Sequence, residues 1–199
     1  MKKDKILKSK EPEKTVTIAL VGTKPGVGVT HTGILTAEYL KEKMGARTAF
    51  VEVNHHGHME QMERIVYGYS SPVFSFHGID YYKNMGNDSL SKLFKQSYNY
   101  LILDFGTQKK KEEEALKQCD RKILVGSLNM WEWQEYIKGA KHFEDFLTEK
   151  DSRYLVSFGE QKVISKMEKT LQKKIYVLGN QPLNEPLSQR AEQFFQTLL

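Results

Sequence analysis

The segment TVTIALVGTKPGVGVTHTG, residues 15–33, joins an apolar strand pattern to a glycine-rich turn and the beginning of a helical pattern. Glycines at 22, 26 and 28 let the backbone curl, and Thr30 opens the helix, whose amino end carries partial positive charge. The N–H groups of such a turn converge and bind anions. The segment therefore predicts a phosphate-binding loop that follows a first strand, Thr15–Val21.

Further strand-like runs follow at regular distances along the chain. Several are almost continuously apolar (YLILDF, KILVG), as expected for strands covered on both faces. Because helical patterns alternate with them, we predict a three-layer α/β fold of the P-loop type, a mainly parallel sheet with helices on both faces. The predicted strands are Arg47–Val53, Tyr100–Asp104, Arg121–Gly126, Arg153–Phe158 and Lys174–Leu178. Ligands of such sheets bind at the carboxyl ends of the strands.

The helical patterns are defined by apolar residues that share one face. They are Ile34, Leu35, Tyr39 and Leu40; Leu90, Leu93, Phe94 and Tyr98; the run Trp131–Leu147; and Leu187, Ala191, Phe194, Phe195 and Leu198. The KKKEEE block at 109–114 is interpreted as a solvated helix start. Pro72–Phe76 is a candidate extra strand, and its flanks, YGYSS and HGIDYYKNMGND, are interpreted as loops.

Length, charge and composition limit the function classes. The 199 residues predict one domain at 15–199, preceded by a basic flexible tail at 1–14, and the net charge of +5 permits an anionic partner without requiring one. No apolar run is long enough to span a bilayer, and the single cysteine, Cys119, fits a reducing compartment. We therefore predict a cytoplasmic protein, with peripheral contact to the inner face of the membrane as an alternative. The lysines of the tail are Lys2, Lys3, Lys5, Lys8, Lys10 and Lys14.

The loop KPGVGVT at 24–30 resembles the deviant phosphate loop K-G-G-x-G-K-T of the ParA/MinD family of P-loop ATPases. Four further segments resemble the family's motifs in the same order along the chain. They are VEVNHHG at 51–57, YNYLILDFGT at 98–107, CDRKILVGSLN at 119–129 and IYVLGNQPLNEPLSQRAEQFF at 175–195. The resemblance thus covers nearly the whole chain from residue 15 onward.

The resemblance implies a site for ATP or ADP with Mg²⁺. Thr30 and Asp104 correspond to the magnesium ligands, which bind the ion directly or through water. Glu52 corresponds to the aspartate that positions the attacking water. Lys24 corresponds to the lysine that reaches the partner's phosphates across a face-to-face dimer. The residues implied in phosphate binding are Lys24, Gly26, Val27, Gly28, Val29, Thr30 and His31.

Several residues depart from the family's pattern and weaken the predicted site. Val29 replaces the lysine that reaches the β- and γ-phosphates, a contact worth about 1.5–3 kcal/mol. Pro25 removes one backbone N–H from the loop, and Asn54 has no charge where a second aspartate would be. Ser157 and Phe158 stand near the place where relatives present an asparagine to the adenine ring. We therefore expect ATP–Mg to bind in the high micromolar range or weaker, with barely measurable hydrolysis.

Three other groups of residues admit both a structural and a functional interpretation. Trp131 and Trp133 either anchor a core-packed helix or form a partner surface. Lys162, Lys166, Lys169 and Lys173 follow one helical stripe, which is either a solvated face or a contact for DNA or membrane. His55, His56 and His58 are interpreted as polar loop residues, because a structural zinc needs about four ligands.

Three functions remain open from the sequence. The first is a degenerate ParA/MinD-like positioning or assembly module, acting as a homodimer or docked to an assembly. By analogy with TadZ- and CpaE-type localisation proteins, which belong to the same family and have atypical loops, the assembly would be a pilus or secretion machine. The second is a slow Mg-dependent ATPase in which Lys24 supplies the charge missing at Val29. The third is a nucleotide-free structural scaffold.

Overall fold

A computed structural model of the protein describes residues 14–107, 113–144, 146, 152–183 and 185–199. In this part of the chain eight strands form one sheet in the order β3-β4-β2-β5-β1-β6-β7-β8. All neighbouring strands are parallel except the β3–β4 pair. The strands are β1 Val16–Gly22, β2 Thr48–Glu52, β3 Val73–Phe76, β4 Ile79–Tyr82, β5 Tyr100–Asp104, β6 Arg121–Leu128, β7 Ser152–Gly159 and β8 Ile175–Val177.

Seven helices are described, and they cover both faces of the sheet. The alternation along β1 shows how: Ile18 and Leu20 enter one hydrophobic cluster, while Ala19 and Val21 enter the other. The predicted three-layer α/β architecture is confirmed. The helices are α1 Val29–Met44, α2 His58–Tyr67, α3 Asn87–Leu93, α4 Glu113–Gln118, α5 Trp133–Glu144, α6 Gln161–Leu171 and α7 Gln189–Leu198.

All six predicted strands are present with ends shifted by no more than two residues, and the candidate strand at Pro72–Phe76 is β3. The interpretation of HGIDYYKNMGND as a loop is wrong at Ile79–Tyr82, which is β4. His77 and Gly78 join β3 to β4, both with positive φ (49° and 73°), as a two-residue hairpin turn requires. The hairpin places β4 beside β2 and β3 at the edge of the sheet.

The lysine stripe predicted for residues 162–173 is shorter than expected. Lys162, Lys166 and Lys169 are exposed on α6, but Lys173 lies beyond the helix. The helix ends because Gln172 adopts the left-handed conformation, with φ 53°. Leu147, residues 109–112 of the charge block and residues 1–13 of the tail lie outside the described residues.

The edge strand β3 has its outward carbonyl groups occupied by side chains. Alternate residues of an antiparallel strand turn their backbone groups away from the partner strand. Here the Tyr67 hydroxyl donates to the Ser75 carbonyl at 2.7 Å. The Ser71 hydroxyl oxygen lies 2.8 Å from the Val73 carbonyl and covers it, while its hydrogen goes to the Glu63 carboxylate. These contacts fasten the end of α2 and the loop that follows it to the sheet.

A buried ion pair joins α2 to the segment after β4. The Lys83 ammonium lies 2.5 Å from the Glu63 carboxylate, and both side chains are buried. Ser71 donates to the same carboxylate through its backbone N–H and its hydroxyl. Burial alone would raise the pKa of Glu63, but the hydrogen bonds from Lys83 and Ser71 outweigh it and lower the pKa to about 2.

Glu38, on the inner face of α1, is only 8% exposed. Burial, assisted by the neighbouring Glu42, raises its pKa from 4.5 to about 7. A carboxyl group whose pKa is higher in the folded state stabilises the fold below pH 4.5, and this contribution is lost as the pH rises to about 7.

We therefore expect Glu38→Gln to raise the free energy of unfolding by about 1–3 kcal/mol at pH 8 and to change it little at pH 4. Urea denaturation at the two pH values measures the difference. Glu114→Gln is the matched control, since Glu114 is exposed on α4. Equal effects of Glu38→Gln at both pH values would contradict the assignment.

Candidate functional site

A cavity of about 240 Å³ opens where β1, β2 and β5 end. It is lined by the loop after β1, by His56 and His58 after β2, and by Gly106 and Thr107 after β5. This is the edge at which parallel α/β sheets bind ligands. The structure thus brings the predicted phosphate loop, residues 22–30, to the expected end of the sheet.

The backbone of the phosphate loop is fixed by its glycines and by one serine. Gly26 and Gly28 have φ values of 80° and 90°, which side-chain-bearing residues rarely adopt. A Cβ atom on Gly28 would lie 2.9 Å from the Ser157 hydroxyl oxygen. That hydroxyl donates to the Val27 carbonyl at 2.5 Å, while the Val27 side chain is buried in the core. The loop is thereby held against β7, and α1 begins directly behind it at Val29.

Val29 lines the cavity and also packs into the fold beneath the loop. Its side chain is 7% exposed and belongs to the same hydrophobic cluster as β1 and α1. A Cβ atom on Gly22 would lie only 2.8 Å from the Val29 Cγ2 atom, so the contact between strand and loop is tight. The position that the resemblance assigns to a lysine therefore supplies apolar packing and no charge.

Lys24 is held at the rim of the cavity by two carboxylates. Its ammonium lies 2.5 Å from Glu132 Oε1, just before α5, and 3.5 Å from Glu135 Oε2. The hydrogen bond between Lys24 and Glu132 raises the pKa of Lys24 and lowers the pKa of Glu132. In this structure the lysine is therefore paired within its own chain.

Thr30 and Asp104 meet at the floor of the site. The Thr30 hydroxyl donates to Asp104 Oδ2 at 2.6 Å, and the Gly106 N–H donates to Oδ1 at 2.8 Å. Burial raises the pKa of Asp104, and these hydrogen bonds oppose the shift. His58 Nδ1 lies 3.3 Å from the Thr30 hydroxyl. Hydroxyl and carboxylate oxygens are the hard donors that Mg²⁺ takes, so this pair fits the predicted magnesium site.

Glu52 lies at the end of β2 beneath the amino end of α2. Its Oε1 accepts the His58 N–H at 2.7 Å, and burial raises its pKa. The other oxygen, Oε2, is buried and has no hydrogen-bond partner among the described residues. Glu52 is not among the residues that line the cavity, so its predicted contact with an attacking water remains a prediction.

Asn54 performs a structural task at the position where the resemblance places a second aspartate. Its amide donates to the Asp104 carbonyl at 3.1 Å, and its Oδ1 accepts the His56 N–H at 3.1 Å. An aspartate could not donate the first of these bonds. The neutral amide thus ties the ends of β2 and β5 together.

Ser157 and Phe158 lie in the region where the resemblance places the nucleotide base. His31 lines the cavity, and its Nε2 lies 2.8 Å from the Gln181 carbonyl in the segment before α7. Ser157 is engaged by the phosphate loop, whereas Phe158 is exposed. Neither of these two residues offers the amide that the resemblance associates with adenine.

The three histidines differ in position. His56 and His58 face each other with ring centroids 5.3 Å apart, and all three histidines are exposed. The interpretation as loop residues is wrong for His58, which is the first residue of α2. Within the described residues, histidine, cysteine, aspartate and glutamate form no cluster of three or more that would hold a metal ion. None of the described helices has the length and apolarity of a membrane span.

Sequence reasoning missed Glu132 and Glu135, the partners of Lys24, and it did not predict that Ser157 anchors the phosphate loop. Glu132 is separated from Lys24 by 108 positions, and Ser157 from Val27 by 130. No local pattern links residues so far apart. The interpretation that both tryptophans anchor the helix is wrong for Trp131, which is 75% exposed.

No protein-family model matches the sequence, and no curated protein matches it either. Solved structures do match over nearly the whole chain. A ParA family ATPase from Chlorobium tepidum TLS has a TM-score of 0.65 at 13% identity, covering 92% of this chain and 96% of its own. A candidate plasmid partition protein from Borrelia burgdorferi B31, bound to AMPPNP, gives 0.66 at 12%, covering 94% and 97%.

The MinD structure in a MinC:MinD cell division complex from Aquifex aeolicus gives a TM-score of 0.67 at 12% identity, covering 92% of this chain and 95% of its own. At identities this low the likeness concerns the fold. The chain has a ParA/MinD-like P-loop fold, as its sequence motifs predict.

Proposed function

We propose that this protein is a positioning or assembly module that binds nucleotide weakly and hydrolyses it barely or not at all. The observation that carries the proposal is the buried, uncharged Val29 in a phosphate loop whose glycine geometry is intact. The fold supports it, since a neighbour of the same fold is bound to AMPPNP and another is in complex with a protein partner. By analogy with TadZ- and CpaE-type localisation proteins, the proposal extends to a pilus or secretion machine at the inner face of the membrane.

In this proposal the phosphates are held mainly by the backbone. The N–H groups of residues 26–30 and the amino end of α1 offer hydrogen bonds and partial positive charge. Thr30 and Asp104 would hold Mg²⁺, which when bound supplies positive charge next to the phosphates. Phosphoryl transfer depends on charge stabilisation around the transferring group, and Val29 contributes none.

Isothermal titration calorimetry with ATP, with and without Mg²⁺, tests the proposal. We expect a dissociation constant in the high micromolar range or weaker, because one charge-assisted contact of about 1.5–3 kcal/mol is missing from a typical micromolar site. We also expect phosphate release far below about 1 s⁻¹, the lower end of ordinary enzymatic turnover. Submicromolar affinity or turnover near that value would refute the proposal and favour the Mg-dependent ATPase.

The slow Mg-dependent ATPase is the second candidate, because the Thr30–Asp104 pair is intact. It would require Lys24 to leave Glu132 and Glu135 and to compensate for Val29. Magnesium-dependent turnover that is lost in Lys24→Ala would favour this candidate.

Lys24 would also govern association of two copies through the carboxyl-end face of the sheet. We expect ATP–Mg to promote self-association of the wild type and Lys24→Ala to abolish that effect, because a shared phosphate would lose its cationic partner. Sedimentation velocity with and without ATP–Mg measures this. Lys43→Ala is the matched control, since Lys43 pairs with Glu192 on α7. A wild type that stays monomeric throughout would favour the nucleotide-free scaffold.

A further inference from the structure

We infer that a groove between α5 and α6 is a docking site for an amphipathic helix of a partner protein. This helix carries a large apolar anchor residue with carboxylates beside it. This Trp groove is formed by Met130, Trp133, Lys162, Val163, Lys166 and Met167. It lies apart from the phosphate cavity, and no residue lines both. The inference rests on the proposed docking role and specifies the partner.

Met130, on the border of the groove, belongs to an ordered turn. The Asn129 side-chain amide donates to Glu132 Oε2 at 2.8 Å, and the Glu132 N–H donates to the Asn129 carbonyl at 3.0 Å. Glu132 also binds Lys24 through its other oxygen. Because these contacts order the turn, the exposure of Met130 (65%) and Trp131 (75%) is a property of the fold and not of a loose loop.

The interior of the groove is apolar and concave. Its volume is about 310 Å³, at the lower end of the range of about 300–1,000 Å³ for ligand pockets. Met167 is buried at its base, and Val163 and Trp133 form its sides. A space of this size accepts one or two large side chains, which is how amphipathic helices insert their anchors. A lipid surface would instead contact the exposed Met130 and Trp131 and would not use the concave interior.

The charge around the groove selects an acidic partner. Lys162 and Lys166 lie one helical turn apart on its border, and the Lys166 ammonium is 5.6 Å from the centre of the Trp133 ring. No carboxylate is among the described residues that line the groove. The nearby carboxylates of Glu132 and Glu135 are paired with Lys24. A helix with glutamate or aspartate next to its apolar anchor therefore matches both the apolar interior and the positively charged border of the groove.

Selection of random peptides, about four helical turns long and displayed on phage, against the full chain tests the inference. We expect the enriched peptides to combine apolar residues three or four positions apart with acidic residues. The corresponding synthetic peptides should bind at least about tenfold more weakly to Trp133→Ala and to Lys166→Glu. Lys169→Glu is the matched control, because Lys169 is exposed on α6 outside the groove and should leave binding unchanged.

A charge exchange makes the test specific. Glutamate-to-lysine changes in the peptide should restore binding to Lys166→Glu, which a general loss of folding would not allow. The inference would be overturned if the selection did not enrich acidic amphipathic peptides. It would also be overturned if the peptides bound Trp133→Ala and Lys166→Glu as tightly as the wild type. The inference would also be overturned if the protein bound no peptide but sedimented with phosphatidylserine-containing vesicles in a way that depends on Trp131. Peptide binding that persists without any ATP–Mg binding would support the groove and refute the nucleotide part of the proposed function.

Discussion

Val29→Lys is expected to bind ATP–Mg about ten- to a hundredfold more tightly than the wild type. The phosphate loop already has its glycine geometry and its helix amino end, so an ammonium group at position 29 would add the missing charge-assisted contact, worth about 1.5–3 kcal/mol. The apolar stem of a lysine can cover the surface that Val29 now covers while its charged end reaches the cavity. Calorimetric titration of both proteins measures the gain.

Val29→Met is the matched control for this experiment, since it extends the side chain without adding charge. We expect its affinity for ATP–Mg to stay close to that of the wild type. If Val29→Lys binds no better than Val29→Met, the loop does not present its N–H groups to phosphate. The nucleotide-free scaffold would then be the better description of the protein.

Lys83→Met is expected to lower the thermal unfolding midpoint by on the order of 10 °C, the largest stability effect that we predict for a single substitution. The substitution leaves the Glu63 carboxylate buried without its ammonium partner. Because the pKa of Glu63 is lowered, the stabilisation is present above pH 4.5 and is lost as the pH falls towards about 2. Thermal denaturation followed by circular dichroism measures both effects.

Two variants show whether the buried charge is responsible. Glu63→Gln combined with Lys83→Met should recover most of the lost stability, since no uncompensated charge remains. Arg64→Met, which breaks the exposed pair with Glu60 on the same helix, should change the midpoint by only a few degrees. A similar loss for Arg64→Met and Lys83→Met would show that burial is not the cause.

The sheet was predictable because its central strands are buried on both faces and are therefore apolar almost without interruption. The hairpin strand β4 was not, because its signal is four residues long and follows a two-residue turn, His77–Gly78, that has the composition of a loop. The end of α6 was missed for a related reason. The left-handed conformation of Gln172 has no strong signature in a residue type that usually avoids it.

The phosphate loop and its place in the fold were predictable, because a glycine turn between strand and helix has few other uses. The surroundings of the loop were not. The ion pair of Lys24 with Glu132 and the anchoring of Val27 by Ser157 join residues more than 100 positions apart. Such contacts follow from the order of strands in the sheet, which places β6 next to β1 and β7 next to β6.

The contacts of the Tyr67 and Ser71 hydroxyl groups with the carbonyl groups of β3 affect how the protein associates at high concentration. An open sheet edge recruits extended chains and can seed fibrous aggregates. Here the side chains of Tyr67 and Ser71 cover the outer carbonyls of Ser75 and Val73, so an incoming strand would have to displace them before it gained a ladder. At the opposite edge, β8 offers only three residues. Both features disfavour polymerisation through the sheet at high local concentration.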